Sequence, residues 1–495
     1  MDGPCPIECL ADELLNHILS FLVAEPESTK IRDHLHISRP RFSHAANGDE
    51  GFRLGERSDL DRYRLVCKRF MRIATPWKFR RFVLRFSREG FQRLDELVNA
   101  KLAGHTRYFT YMVRPFYRGR GWERFLKEFS SDNPVLFKVH MFRLADQNAL
   151  VENGSDLMLL KRAMASFSSL QEIKLLRLQD KADEDLLERL RERDGNAEEE
   201  LSLDWEPACS RAIRNLGVAI LGSSCHSVRF FGPQISPESA LKLLHTPSIT
   251  ISAVGARLTC LDVNFHSTRD VTTIMSNLSE VFREFFLAAR NLIMIHIGFP
   301  AKSPANFQLE DIFHRLQWES LRSLGIQGWR LESAEIIDIS RRHRFQLREL
   351  RMPCVYLRQG SRWRDVLAFL HSEMEELERV DLRNIDYASH FDAEIMNGVE
   401  VPPPGSPPRQ QPVDANGELE DNHNHNNHNN NISPASPTYQ AEVELRQGQQ
   451  QQLSLAELRA LTADDLGDNG ERVEREQWAL WEAWVTSRRR RVELI

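Results

Sequence analysis

The side chains that could do chemistry are few and scattered. Seven cysteines, at 5, 9, 67, 209, 225, 260 and 354, form an odd set with no CxxC pair. A structural zinc site needs thiolates or imidazoles at short spacing, and a disulfide framework needs an even set. The pattern therefore predicts reduced thiols of the cytoplasm or nucleus, with no metal site. Cys67 precedes Lys68 and Arg69, a cationic setting that favours a thiolate, yet its place on an apolar stripe predicts a small buried side chain. His423, His425 and His428 sit in an Asn/His run from Asp421 to Asn431, which reads as low-complexity drift and not as a ligand set. No glycine loop with a phosphate-binding lysine, GxGxxG, HExxH or GxSxG occurs, so neither catalysis nor a cofactor is expected. Recognition chemistry remains: Arg351, Arg379 and Arg383 could grip a phosphate through charge-assisted hydrogen bonds.

Such side chains need elements to position them. A chain of 495 residues exceeds one ordinary core and suggests about three modules, unless it is a repeat array. No run of 18 or more apolar residues is present, so no membrane-spanning helix is expected. The stretch Leu10 to Val23 is broken by Asp12, Glu13, Asn16 and His17 and lacks a basic flank, unlike a signal peptide. Net charge is −6, but it is an average over unlike segments. Residues 391–470 hold three Arg against thirteen acids, whereas Arg57 to Arg93 holds twelve Lys or Arg against three acids. The 391–452 stretch contains Val-Pro-Pro-Pro-Gly-Ser-Pro-Pro, the Asn/His run and a Gln run, compositions that predict a disordered linker. Beyond it, Ser454-Leu-Ala-Glu457 is a capping-box pattern. Trp478, Trp481 and Trp484 then recur every three residues before Arg488 to Arg491, so the tail should dock back or bind a partner. The arginines suit a nuclear import signal or a solvated helix end.

The middle of the chain repeats. An apolar triplet spaced i, i+3, i+5 occurs at Leu170/Ile173/Leu175, Leu258/Leu261/Val263, Leu292/Ile295/Ile297, Leu321/Leu324/Ile326, Leu347/Leu350/Met352 and Leu377/Val380/Leu382. Cys225/Val228/Phe230 is a weaker copy and Thr106/Phe109/Tyr111 a marginal one. Starts from Cys225 onward lie 33, 34, 29, 26 and 30 residues apart, room for one strand and one helix. The 55-residue first gap contains the acidic stretch Asp183 to Glu206. Between triplets, Ser236-Pro237 reads as a helix start, and Val271 to Arg290, Leu309 to Trp318, Ala334 to Arg344 and Trp363 to Leu377 carry helical periodicity. Such units must stack to bury their apolar faces. The expectation is an α/β fold, a divergent leucine-rich-repeat-like strand-helix solenoid without an asparagine ladder; an ordinary α/β domain is the alternative. Residues between the triplet positions would line its open strand face: Lys174, Arg229, Phe231, Asp262, Asn264, His296, Gln327, Arg351, Arg379 and Arg383. That mixture suits a protein partner more than an enzyme pocket.

At the N-terminus, Leu10, Leu14, Leu15, Ile18, Leu19 and Leu22 form one amphipathic stripe, with Asp12 and Glu13 in its first turn. Leu60, Tyr63, Val66, Cys67, Phe70 and Ile73 form a second, which Pro76 should stop. Two short helices cannot bury all this surface against each other, so a partner face is expected. These stretches resemble the F-box motif, most of all in Leu65-Val66-Cys67-Lys68-Arg69-Phe70 followed by Ala74-Thr75-Pro76. With the downstream repeats, the resemblance is to fungal-type F-box proteins with leucine-rich repeats and extends to about residue 391. Ala11 stands where the motif usually has proline, and a polar insertion separates the helices.

The resemblance implies a small all-α F-box domain over 5–84, with the insertion at 25–56. The solenoid follows over 85–390, with an acidic insertion at 181–206, then the 391–452 linker and a helical Trp/Arg-rich tail over 453–495. It further implies a non-catalytic substrate-recognition subunit of an SCF ubiquitin ligase. Leu10, Leu14, Ile18, Leu60, Leu65, Val66 and Phe70 would meet a Skp-family adaptor, and through it a cullin complex, while the repeats bind a protein substrate. Two other readings are a repeat scaffold with a vestigial F-box, and a nucleic-acid-binding protein using the basic 57–93 segment with Tyr63, Phe70, Trp77, Phe79, Phe82 and Phe86.

Overall fold

Strands that are apolar at every second position need a helical layer over that face, and the chain supplies one. The computed structural model describes residues 7, 10–22, 59–128, 130–192, 201–235, 240–265, 271–397 and 454–488. The polar insertion 25–56, Ser236-Pro237, the linker beyond 397, its three histidines, Cys5, Cys9 and the arginines after Arg488 lie outside the described residues.

In chain order the strands are β1 (Arg81–Arg85), β2 (Tyr108–Val113), β3 (Phe116–Arg118), β4 (Glu172–Arg177), β5 (Ser202–Asp204), β6 (Val228–Ile235), β7 (Leu258–Phe265), β8 (Met294–Gly298), β9 (Ser323–Gln327), β10 (Trp329–Leu331), β11 (Glu349–Arg351), β12 (Val355–Leu357), β13 (Arg379–Asp381) and β14 (Asp386–Tyr387). Nine of them form one sheet, ordered β1-β2-β4-β6-β7-β8-β9-β11-β13, which is their order along the chain. Every neighbouring pair in it is parallel. The protein is thus α/β, built on a large parallel sheet.

Register ties the apolar triplets together. Phe82, Phe109, Ile173, Phe230, Leu261, Ile295, Leu324, Leu350 and Val380 are successive cross-strand partners. They pack with the intervening helices into one continuous core. The marginal triplet Thr106/Phe109/Tyr111 falls in register with the strong ones. Cys225/Val228/Phe230 is displaced by two positions, since Phe230 and not Val228 lies beside Ile173 and Leu261. The ladder shifts between Val228 and Arg229, and a two-residue slip keeps the same face inward.

Two smaller sheets complete the frame. Strands β10, β12 and β14 run parallel one turn after β9, β11 and β13. Gly328 makes the first of these turns at φ +68°, where a Cβ would also collide with the Phe299 carbonyl. Strands β3 and β5 pair antiparallel beside a satellite cluster of Tyr117, Trp122, Phe125, Leu126, Leu136 and Leu186. The acidic stretch 181–206 is built into this part: it supplies the helix Lys181–Glu192 and β5. Within it Asp183 is buried and bridged to Arg114 and Arg143.

The N-terminal helices are α1 (Asp12–Leu22), α2 (Asp59–Arg64) and α3 (Lys68–Lys78). Leu15, Leu19, Phe70, Ile73 and Ala74 form their shared core, and Asp12 ties α1 to Arg69 and Arg72 of α3. Pro76 does not stop α3, which runs on to Lys78. Its ring removes one backbone donor in the last turn, but the Phe79 N–H still closes that turn onto the Thr75 carbonyl at 3.1 Å. The strand that opens the sheet begins at Arg81, so the helical unit ends just short of residue 84.

The tail docks back. Ser454 and Glu457 form the capping box, and the helix Arg475–Thr486 buries Trp481 and Trp484. Trp481 Nε1 donates to the Leu466 carbonyl at 2.9 Å, and Trp484 Nε1 to that of Leu461 at 3.0 Å. The Trp484 ring stacks on His371 of the helix Trp363–Glu373. Glu482 accepts the Leu382 N–H just beyond β13.

Candidate functional site

Two surfaces collect the residues singled out from sequence. The first is an apolar strip on the N-terminal helices. Leu14, Ile18 and Phe21 share one side of α1, at spacings of four and three, while Leu15 and Leu19 point into the core. Leu65 and Val66 stand in the turn between α2 and α3, 64% and 58% exposed, and Met71 adds to the strip from α3. Of the residues expected at an adaptor, Leu14, Ile18, Leu65 and Val66 are therefore exposed. Leu10 and Leu60 pack half-buried against the helical core. Phe70 is 2% exposed and belongs to that core, because its position on α3 faces α1. Phe21 and Met71 were missed; the four-three spacing from Leu14 was the available signal for Phe21.

The second surface is the sheet face turned away from the helices. Its side chains form three rows. Glu172, Arg229, Cys260, Met294, Ser323, Glu349 and Arg379 make the first. Lys174, Phe231, Asp262, His296, Gly325, Arg351 and Asp381 make the second. Asn264, Gly298 and Gln327 lie in the third. The expected residues do share a face, with Arg383 just past its edge. Acids missed from sequence neutralise most of its bases. Glu172 bridges Lys174 at 3.0 Å and Arg229 at 2.9 Å. Glu349 takes Arg351 at 2.6 Å and the Ser323 hydroxyl at 3.0 Å, and Asp381 takes Arg383. Glu349 and Arg351 are two apart on β11, the spacing that puts side chains on one face, while Arg383 reaches back to Asp381 from two residues beyond the end of β13. Arg351 and Arg383 are thus committed to internal pairs; Arg379 has no carboxylate partner among the described residues, and its Nη1 is buried without an acceptor.

The middle of the face is different. Asp262 and His296 are cross-strand neighbours, each 5% exposed. Among the described residues Asp262 receives one long hydrogen bond, from Asn264 Nδ2 at 3.4 Å, and His296 Nδ1 has no partner. Burial lifts the Asp262 carboxyl to about 7, against the pull of Arg351. Burial, reinforced by Arg351, drops the His296 imidazole to about 4. Glycine at 325 makes this arrangement possible, since a Cβ there would collide with the imidazole. Near neutral pH the imidazole is therefore uncharged, and the carboxyl lies close to its half-ionised point.

Neither surface resembles a reaction centre. Among the described residues no cluster of three His, Cys, Asp or Glu is placed to hold a metal ion, and no described helix is long and apolar enough to cross a membrane. A cavity of about 460 Å³ lies on the helix side of β6–β8 and is lined mainly by apolar side chains such as Ile213, Phe230, Val254 and Phe282. The basic 57–93 segment is largely engaged: Arg69, Arg72 and Lys78 are ion-paired, and Phe70 and Phe86 are buried. In class, this is an α/β protein with a chain-ordered parallel sheet and a small helical unit at one end. No protein-family model and no curated protein matches the chain.

Proposed function

We propose that this chain is the substrate-recognition subunit of an SCF-type ubiquitin ligase of the cytoplasm or nucleus. Helices α1–α3 act as an F-box that docks on a Skp-family adaptor and through it on a cullin complex. The parallel sheet and its helices act as a leucine-rich-repeat-like solenoid whose open face holds the protein to be ubiquitylated. The observation that carries the reading is the strip of Leu14, Ile18, Phe21, Leu65 and Val66, left exposed beside a helical core that is already filled. It coincides with the F-box-like segment Leu65 to Phe70. Burying each such side chain contributes roughly 1.5–3 kcal/mol, so five or six outweigh an association cost of about 4–15 kcal/mol only if most are covered together. That calls for one complementary apolar groove. The subunit itself would perform no bond chemistry; it would raise the effective concentration of substrate lysines near the ubiquitin carrier.

The test is capture of a Skp adaptor by the full chain and by the double variant Leu65→Asp, Val66→Asp, at low and high salt. Both positions are exposed, so the variant should melt with the wild type. Capture by the wild type at high salt, lost in the folded variant, supports the reading. No capture by folded wild type leaves a repeat scaffold with a vestigial F-box, and capture that vanishes with salt excludes an apolar interface.

A further inference from the structure

We propose that the centre of the sheet face turned away from the helices is a subsite for a positively charged side chain, lysine or arginine, of the bound protein, with Asp262 as its counter-ion. The inference rests on the reading of this face as the substrate surface. Its ground is an imbalance among paired neighbours. From β4 to β13 the charges facing this side are Glu172, Lys174, Arg229, Asp262, His296, Glu349, Arg351, Arg379 and Asp381. Glu172 is matched by Lys174 and Arg229, Glu349 by Arg351, and Asp381 by Arg383. Among the described residues Asp262 alone of these acids has no basic partner, although it is as enclosed as Glu172 and Glu349.

Desolvation shifts a carboxyl in that position toward its neutral form, and its natural complement is a cation that arrives with the ligand. The surroundings fit a long aliphatic stem ending in a charge. Phe231 lies to one side of Asp262 in its row, and Met294 stands beside the His296 position in the row below. The glycines at 298 and 325 leave room for the Asn264 amide and the His296 ring, which lie over them. His296 stays neutral and does not repel an incoming cation. Asn264, already bonded to Asp262, can present its amide oxygen to the same ammonium or guanidinium group. Arg379 sits four strands away from Asp262 along the sheet, so an acidic or phosphorylated ligand residue would not be held at this subsite.

Capture of a cation favours the carboxylate, so binding near neutral pH expels a proton from Asp262. This linkage is what separates the subsite from diffuse attraction to an acidic protein. The experiment uses the full chain and decapeptide pools with randomised flanks around one fixed central residue: lysine, arginine, norleucine, glutamate or phosphoserine. Binding is followed by fluorescence polarisation at physiological salt, and proton exchange by calorimetry in buffers of different ionisation heat. The lysine and arginine pools should bind at least about tenfold more tightly than the norleucine pool. Their binding should strengthen from pH 6 to 8 with proton release. Asp262→Asn should erase both effects at an unchanged melting temperature, whereas Asp338→Asn, an exposed acid on a helix, should erase neither. Equal binding of the lysine and norleucine pools overturns the subsite, as does preference for glutamate or phosphoserine or binding of no pool. So does pH-independent lysine binding in the wild type, which needs no variant to fold. Adaptor capture is scored separately: if it fails while the lysine pool binds through Asp262, the subsite stands and the ligase reading falls.

Discussion

Replacing Trp481 by alanine would take from the C-terminal helix the one indole that is wholly enclosed. It is 0% exposed, and its Nε1 donates to the Leu466 carbonyl at 2.9 Å. Truncations of this kind cost about 3–5 kcal/mol through lost burial and the cavity left behind. Measured against a typical total stability of about 5–15 kcal/mol, that is a large fraction if the molecule unfolds as one unit. The helix Arg475–Thr486, however, meets the rest at one end of the sheet, through the helix Trp363–Glu373 and β13. The loss should therefore appear as local undocking. By the rule that 1.4 kcal/mol is tenfold, a loss of about 3 kcal/mol or more speeds amide exchange there by roughly 100-fold or more. Hydrogen exchange read by mass spectrometry checks this over 363–373, 379–387 and 475–486, with β7–β9 as an internal reference that should not change. Trp478→Ala is the control: Trp478 is half-buried and its Nε1 has no acceptor among the described residues, so its exchange should rise less than about tenfold. If the two variants behave alike, or if β7–β9 lose protection in step with the tail, the tail is not a separately docked element and the reasoning fails.

Three further outcomes are expected. Phe70→Ala should destabilise the helical unit by about 3–5 kcal/mol, seen as loss of α1–α3 exchange protection, whereas the Leu65, Val66 pair variant leaves that protection intact. Burial lifts the Glu482 carboxyl to about 7, with Asp381 adding to the rise against the Leu382 N–H bond. A raised acid stabilises docking fully below its ordinary range near 4.5 and loses that contribution as pH climbs through 7. Tail protection should therefore fall between pH 5 and 8 in the wild type and stay level in Glu482→Gln; a level wild-type profile refutes it. Gly217, inside the helix Trp205–Ile220 and facing open space, should gain about 0.5–1 kcal/mol on change to alanine, measured by urea denaturation.

How much of this was written in the residues depends on which neighbours decide each position. The triplets from Leu170 to Leu382 announce the sheet because their period is local, and even the marginal Phe109 copy lies in register. The β6 copy misleads because strand register, a property of paired strands, sets Phe230 and not Val228 beside Ile173 and Leu261. On α1 the stripe from Leu10 to Leu22 looks like one apolar face, yet it splits into Leu15 and Leu19 inward and Leu14, Ile18 and Phe21 outward. Only the placement of α3, set 57 residues away by Asp12 and Arg69, resolves that choice. The three arginines read as phosphate candidates look equivalent in sequence. Glu349 and Asp381, each two positions earlier in the chain, decide that Arg351 and Arg383 are already occupied. The isolation of Asp262 was not legible at all, since it is defined by what five different strands do not provide.

The chain order of the main sheet has a consequence for how such a molecule can change over generations. Each main strand is bonded only to its predecessor and successor, so duplicating or deleting one strand-helix unit would re-thread nothing. With strands about 4.8 Å apart, nine of them set a separation of roughly 38 Å between β1, beside the helical unit, and β13, beneath the docked tail. The sheet is in that sense a ruler graduated in steps of about 5 Å, and the reach from one end to a ligand on its face could be reset by whole units without redesigning either end.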